Sequence, residues 1–164
     1  MANLFSTLKS NTINLIPILI LFIIAFNGSS VINFTYITVS VHYVLVYYWV
    51  LRRPEILGYG FIFLSGIVND VVYGLPLGVS ALTLLTIASV ATYIRTVTVR
   101  ITLANDWISF IPALLFANLI YFLCLYFSNY SIDYMLILKN SVFTFAFYPI
   151  LWAIFSLINF FMEN

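Results

Sequence analysis

The chain has 164 residues, of which 64% are hydrophobic and only 7% are charged, and its mean hydropathy is +1.13. A soluble domain carries about 25% charged residues, so this composition excludes a water-facing globular surface and indicates an integral membrane protein. The formal net charge is +1 and the sequence has no basic patch, so we expect no nucleic-acid partner. The single cysteine, Cys124, excludes an internal disulfide, and metal-ligand spacing is lacking, so we expect no metal and no cofactor.

Six apolar runs follow one another along the chain and predict six transmembrane helices. Each run has about 18–25 residues, and about 20 helical residues cross a hydrocarbon core of ~30 Å. An isolated strand would leave backbone groups unpaired in lipid, so helix is the expected conformation. We therefore predict an all-α, polytopic membrane protein, a six-transmembrane-helix bundle that forms one domain over residues 1–164. The predicted spans are residues 13–30, 34–51, 56–73, 77–94, 107–127 and 136–160.

The basic residues predict how these spans are oriented. With the N-terminus inside, the cytoplasmic side receives five basic residues and the outside receives only Lys139, as the positive-inside rule requires. Both termini are then cytoplasmic. The expected cytoplasmic basic contacts, with partners or with anionic lipid headgroups, are Arg52, Arg53, Arg95 and Arg100, and Lys9 lies on the same side. The connection from Arg95 to Asp106 is either strand-like or a helix extension followed by a turn.

The segment from Tyr47 to Leu82 is the most informative part of the chain. It reads YYWVLRRPEILGYGFIFLSGIVNDVVYGLPLGVSAL and contains five of the six glycines. Pro54 disfavours helix at Arg53 and suits the first turn of the following helix, so RRPE predicts a tight cytoplasmic corner. The aromatic triplet YYW just before this corner lies at the level of an interfacial aromatic belt.

The third span carries small residues at a regular interval. Gly66, Asp70 and Gly74 are spaced by four and therefore share one face of a helix. Gly78 continues the interval beyond Pro76, where we expect the helix to break on the outer side. Small residues at this spacing let another helix approach closely, either within the bundle or in a partner protein.

Asp70 is a carboxylate within this apolar stretch. It lies about 15 positions after the corner, which is roughly 22 Å along a helix and places it in the outer leaflet. A carboxylate there is costly unless it is hydrated, paired or capping a helix. We expect either a cap near the outer turn or a polar contact that holds a binding surface. Lys139 begins the sixth span on the same side, so an Asp70–Lys139 pair is a further prediction.

The sequence shows no catalytic set, and we expect no catalytic residues. His42 is the single histidine, and no second histidine, cysteine or acidic residue shares its predicted span. Neither a nucleophile–base pair nor a metal site can be assembled around it, so we expect a hydrogen-bonded residue of the bundle. An intramembrane enzyme that depends on His42 or Asp70 is the third possibility after the two considered next.

The order of these motifs resembles the rod shape-determining protein MreD family. The matching elements are YYWVLRRPE, then a Gly-rich span with GIVND, then YGLPLGVSAL. The resemblance places Pro54, Gly66, Asp70, Gly74 and Gly78 on the family pattern. Outside this segment the chain matches the family in length and hydropathy only.

The resemblance implies a non-enzymatic component of the bacterial cell-elongation machinery in the cytoplasmic, or inner, membrane. Such proteins bind the single-span protein MreC. Through it they connect the MreB filament with peptidoglycan synthases and help to maintain rod shape. For this chain we expect a partner's single span to dock against one face of the bundle.

A small-molecule-binding subunit of a vitamin importer is the alternative. Proteins of the MreD type resemble these six-helix substrate-binding subunits in fold. An importer subunit usually carries Ala-x-x-x-Ala packing on its first span, whereas the first span here reads LIPILILFIIAF with Ala25 alone. Tight vitamin binding by the purified protein would favour this alternative.

Overall fold

The computed structural model describes residues 15–27, 31–33, 38–98, 102–130 and 133–163, which form six helices and two short strands. The helices are α1 (Ile16–Phe26), α2 (Val41–Arg52), α3 (Tyr59–Tyr73), α4 (Val79–Val97), α5 (Leu103–Phe127) and α6 (Tyr134–Glu163). The strands are β1 (Val31–Asn33) and β2 (Thr38–Ser40), which pair antiparallel. The prediction of a mostly helical chain is therefore confirmed.

Three of the helices are long and apolar enough to cross a membrane. They are α4 with 19 residues, α5 with 25 residues, and α6, of which 29 residues qualify. At 1.5 Å per residue, α5 is about 37 Å long and exceeds the ~30 Å hydrocarbon core. The helices α1 and α3 are also apolar but have only 11 and 15 residues. The predicted membrane character thus has direct support in α4, α5 and α6.

Helix α2 forms the centre of the bundle. Ten of its twelve residues are buried, and helices α1, α4 and α6 pack around it. A helix covered on every side needs no polar face, which accounts for its nearly continuous apolar sequence. Aromatic rings fill the space between α2, α5 and α6. The ring centroids of Tyr47 and Phe110 lie 4.8 Å apart, and those of Phe110 and Tyr148 are equally close.

The aromatic triplet that the sequence placed at a membrane interface lies in this core. Tyr47, Tyr48 and Trp49 are at most 1% exposed. None of the three faces outward from the bundle, so they do not form the aromatic belt expected at that level. Tyr47 packs instead against Phe110 of α5 and Tyr148 of α6, and Tyr48 packs against Trp152 and Phe155 of α6.

A short strand lies within the second predicted span. Within residues 34–51, strand β2 covers Thr38–Ser40 and the helix begins only at Val41. The amide of Ser40 donates a hydrogen bond of 2.9 Å to Thr144 Oγ1 of α6, and Asn140 Nδ2 donates to Ser40 Oγ at 2.6 Å. The polar side chains of α6 thereby hold the strand in place, a contact that hydropathy alone cannot indicate.

The two predicted cytoplasmic connections have different outcomes. At the RRPE corner, α2 ends at Arg52 and a turn follows in which the Ile56 amide donates to the carbonyl of Arg53 at 3.1 Å. The corner is thus confirmed as a tight turn. In the second connection, helix extends to Val97 and resumes at Leu103, and residues 99–101, with the predicted contact Arg100, lie outside the described residues.

Candidate functional site

The helix predicted to carry Gly66, Asp70 and Gly74 ends in a tight turn. Gly74 has a φ of 64°, and the Leu75 amide donates a hydrogen bond of 2.9 Å to the carbonyl of Asp70. This is the usual termination of a helix by a glycine, and Pro76 then prevents the helix from continuing. Gly78, with a φ of 101°, begins the next helix. The predicted break at Pro76 is therefore confirmed.

Helices α3 and α4 and the turn between them form a helical hairpin, and Asp70 joins its two helices. It is fully buried, its Oδ2 accepts a hydrogen bond from the Gly78 amide, and its Oδ1 accepts one from the Ser80 amide, each at 2.8 Å. These amides are among the N–H groups that the start of α4 leaves without an intrahelical acceptor. The positive end of the α4 dipole stabilises the carboxylate further. Asp70 therefore caps the start of α4, which is the first of the two roles expected for it.

Gly66 brings the backbones of α3 and α4 into contact. A Cβ added there would lie 2.6 Å from the backbone nitrogen of Ala81 and closer still to its Cα. One turn further along α3, Asn69 Nδ2 donates to Ser80 Oγ at 2.9 Å. The small-residue face was expected to pack either within the bundle or against a partner protein. At Gly66 and Asn69 it packs within the bundle, against α4. Gly74 differs, because no heavy atom lies within 4 Å of a Cβ added there and its positive φ alone favours glycine.

The predicted pair between Asp70 and Lys139 is not formed. Lys139 is exposed, whereas both carboxylate oxygens of Asp70 are held by backbone amides. Within the described residues an ion pair forms instead between Arg52 and Asp106. Asp70 and Lys139 nevertheless belong to the same end of the bundle. Their near neighbours in sequence, Asn69 of α3 and Ile137 of α6, line one cavity.

The ion pair between Arg52 and Asp106 joins the end of α2 to the start of α5. Arg52 Nη2 donates to Asp106 Oδ2 at 3.3 Å, and Trp152 Nε1 of α6 donates to the same oxygen at 3.2 Å. The Cζ atom of Arg52 lies 5.6 Å from the centroid of the Tyr48 ring and 5.4 Å from that of the Trp152 ring. Each charge also interacts favourably with the dipole of its own helix, because Arg52 lies at the negative C-terminal end of α2 and Asp106 at the positive N-terminal end of α5. We call these four side chains the junction cluster.

The junction cluster corrects the prediction for Arg52. This residue was expected to contact lipid headgroups or a cytoplasmic partner, but only 25% of its side chain is exposed and its guanidinium is paired with Asp106. Arg95 is exposed, as the prediction requires, and Arg53 is half-buried. The sequence places Asp106 at the end of a loop, and its position at the start of an apolar run is the signal that identifies it as a candidate. Trp152 offered no such signal.

A cavity of about 210 Å³ lies at the other end of the bundle, close to the Asp70 turn. Residues from β2 and from helices α2 to α6 line it, and none of the lining side chains is charged. His42 contributes to the wall, is 2% exposed, and places its Nε2 3.4 Å from Ser65 Oγ. His42 is therefore a hydrogen-bonded residue within the bundle, as expected.

The described residues contain no group of three or more histidine, cysteine, aspartate or glutamate side chains that could hold a metal ion. Cys124 is half-buried and is not in a disulfide. No protein-family model matches the chain, and neither a curated protein nor a solved structure gives a significant match. The helical hairpin, the junction cluster and the cavity are therefore the features from which a function can be inferred.

Proposed function

We propose that this chain is a non-enzymatic, multi-pass component of the bacterial inner membrane that serves the cell-elongation machinery as MreD-type proteins do. The observation that carries the proposal is the structure of the segment from Tyr47 to Leu82. Its motif residues form one continuous unit in which the Pro54 turn, the Gly66 contact and the Asp70 cap each have a defined structural part. A motif order that corresponds to one structural unit is stronger support for the resemblance than any single residue.

The contacts between helix ends support a bundle of six antiparallel spans with both termini on the cytoplasmic side. The Arg52–Asp106 pair joins the end of α2 to the start of α5, and Tyr59 Oη lies 2.8 Å from Thr92 Oγ1, which joins the start of α3 to the last part of α4. These ends are the ones that the positive-inside rule assigns to the cytoplasm. The cavity collects the opposite ends of α2, α3, α4 and α6.

The proposed partner is an MreC-type protein with a single transmembrane span, and through it the MreB-type filament and the peptidoglycan synthases. Because α4 covers the face of α3 at Gly66, the docking surface must lie elsewhere on the bundle. Gly60 of α3 is exposed, and no heavy atom lies within 4 Å of a Cβ added there. A glycine on an open helix face allows a second helix to approach closely. We place the partner's span across α3 at Gly60.

Co-purification in mild detergent tests this proposal. A tagged chain is expressed with an MreC-type protein from the same genome, and the recovered partner is quantified. Gly60→Leu should lower the recovery about fivefold or more, since a lost helix contact is worth about 1 kcal/mol. The matched control is Ala153→Leu, which makes the corresponding change on the exposed face of α6 and should leave recovery unchanged.

Two outcomes separate the function from the docking surface. Failure of the unmodified chain to recover the partner under conditions where both proteins are folded would contradict the proposed function. Recovery that persists in Gly60→Leu would contradict only the docking surface on α3.

The cavity favours the importer-subunit alternative, but its size places that alternative second. Ligand sites in proteins usually have volumes of about 300–1,000 Å³, whereas this cavity has about 210 Å³. Stable co-purification with an energising ATPase complex in place of an MreC-type protein would reverse the order.

A further inference from the structure

We propose that the cavity beside the Asp70 turn binds a small neutral molecule with one planar ring and an amide group, such as an aromatic carboxamide. The inference concerns a binding site and is independent of the proposed function. It depends on three properties of the cavity wall: polar groups without partners, the size and aromatic character of the wall, and the distribution of charge.

Asn69 provides the first uncommitted polar group. It is 7% exposed and lines the cavity, and its Nδ2 donates to Ser80 Oγ. Its Oδ1 is buried and has no hydrogen-bond partner among the described residues. A buried acceptor without a donor costs free energy, because it has lost its water and gained nothing in return. A ligand N–H group would remove that cost once the Asn69 side chain turns its Oδ1 toward the cavity.

Three further groups extend this pattern. Tyr43 and Tyr121 line the cavity, and within the described part of the chain neither hydroxyl makes a hydrogen bond to another residue. Asn118 also lines it, and its Nδ2 donates to Ser141 Oγ at 2.7 Å, which leaves its carbonyl oxygen as an acceptor. The wall therefore offers both donors and acceptors. A carboxamide carries the complementary set, with two N–H donors and one carbonyl acceptor.

The remaining wall fits a single planar ring. Leu84, Leu136 and Ile137 supply apolar surface, and the tyrosines supply aromatic faces and edges against which a ring can pack. A cavity of about 150 Å³ holds one benzene molecule, and the present cavity of about 210 Å³ leaves room for one polar substituent. Larger bicyclic compounds would need the helices to move apart.

The charges near the cavity exclude an anion. No lining side chain is charged, and Asp70 lies between the two lining positions Asn69 and Leu75 at the edge of the turn. A carboxylate ligand would lose its hydration without meeting a counter-charge, and it would also be repelled by Asp70. A neutral amide avoids both costs.

Three probes of nearly equal shape test the proposal on the purified full chain in mild detergent. Benzamide is the neutral amide, benzoate is its anionic counterpart, and toluene is its apolar counterpart. Saturation-transfer NMR on each probe measures binding and its saturation. We expect saturable binding of benzamide, with benzoate and toluene at least about tenfold weaker, because each lacks hydrogen bonds or adds an unpaired charge.

Variants assign the binding to this cavity. Tyr121→Phe keeps the ring and removes one hydroxyl, and it should weaken benzamide about fivefold, the effect of one hydrogen bond. Asn69→Leu should weaken it at least as much, and Tyr121→Phe still tests the site if Asn69→Leu does not fold. Tyr126→Phe is the matched control, because Tyr126 lies on the same helix with 61% of its surface exposed, and it should change nothing.

Each contrary result overturns the proposal. Non-saturable benzamide signals would show partition into detergent and a cavity filled by water alone. Equal binding of toluene would show an apolar void without polar recognition. Benzamide binding that is unaffected by Tyr121→Phe would place the ligand outside this cavity.

Discussion

Among the described residues two carboxylates, Asp70 and Asp106, are buried, and they are stabilised in opposite ways. Asp70 is held by two backbone amides that lie eight and ten residues further along the chain. Asp106 is held by the side chains of Arg52 and Trp152, which are 54 and 46 residues away. The first carboxylate caps a neighbouring helix within one hairpin, whereas the second joins three helices at the opposite end of the bundle.

This difference has a physical consequence for how each region responds to substitution. The partners of Asp70 are backbone amides, so if the carboxylate is lost, no side-chain substitution can remove the unpaired N–H groups that remain. The principal partner of Asp106 is a charged side chain, so the charge on both sides can be removed together. A substitution in the helical hairpin should therefore cost stability that no second substitution restores. A substitution in the junction cluster should also cost stability, but a second substitution at the partner residue should restore most of it.

The largest expected effect concerns the backbone contact in the hairpin. Gly66→Leu would force a side chain against the backbone of Ala81 and should lower the free energy of unfolding by about 3 kcal/mol or more. The free energy can be measured by unfolding in mixed micelles with increasing SDS. Gly60→Leu is the matched control on the same helix, and a change of more than about 0.5 kcal/mol there would show that the assay responds to leucine itself.

The next effect tests whether the junction cluster is repairable. Asp106→Leu leaves Arg52 largely buried without a counter-ion and should cost about 2–3 kcal/mol, below the full cost for a pair that is wholly buried. Adding Arg52→Met should recover most of this loss, since an apolar pair can replace an ion pair at little cost. The same SDS titration on both single variants and the double variant gives the coupling energy. A double variant that is less stable than Asp106→Leu would contradict the junction cluster.

The smallest effect concerns the cap. Asp70→Asn keeps one acceptor but points an amide group at a backbone N–H, so the hairpin loses a charge-assisted hydrogen bond worth about 1–2 kcal/mol. Asp133→Asn is the control, because Asp133 Oδ1 accepts the Leu136 amide at 3.1 Å in an exposed cap. Water can replace that hydrogen bond, so this variant should lose less than half as much. Equal losses in the two variants would show that the burial of Asp70 has no energetic role.

Much of the hairpin could be predicted from the sequence. The spacing of Gly66, Asp70 and Gly74 identified one helix face, and Pro76 identified its end. These inferences depend on the period of a helix and on the fixed φ of proline, which act over a few residues. The further choice between an internal and a partner-facing surface needed the position of Ala81, which only the packing of α4 supplies.

The junction cluster and the buried position of α2 could not be predicted in this way. In a membrane protein both the lipid-facing and the interior sides of a helix are apolar, so hydropathy does not distinguish them. For this reason Tyr47, Tyr48 and Trp49 were assigned to an interface although they lie in the core. The same lack of contrast concealed the strand β2 within an apolar run.

The sequence by itself determined that the chain is apolar and mostly helical, where its tight turns fall, and that Asp70 stands beside one of them. These properties follow from composition and from backbone geometry over a few neighbouring residues. Only the tertiary structure decided that α2 is the central helix, that Arg52 pairs with Asp106, and that polar groups of five helices and a strand enclose one cavity. Such contacts join residues separated by tens of positions, and they form only when each helix has found its neighbours.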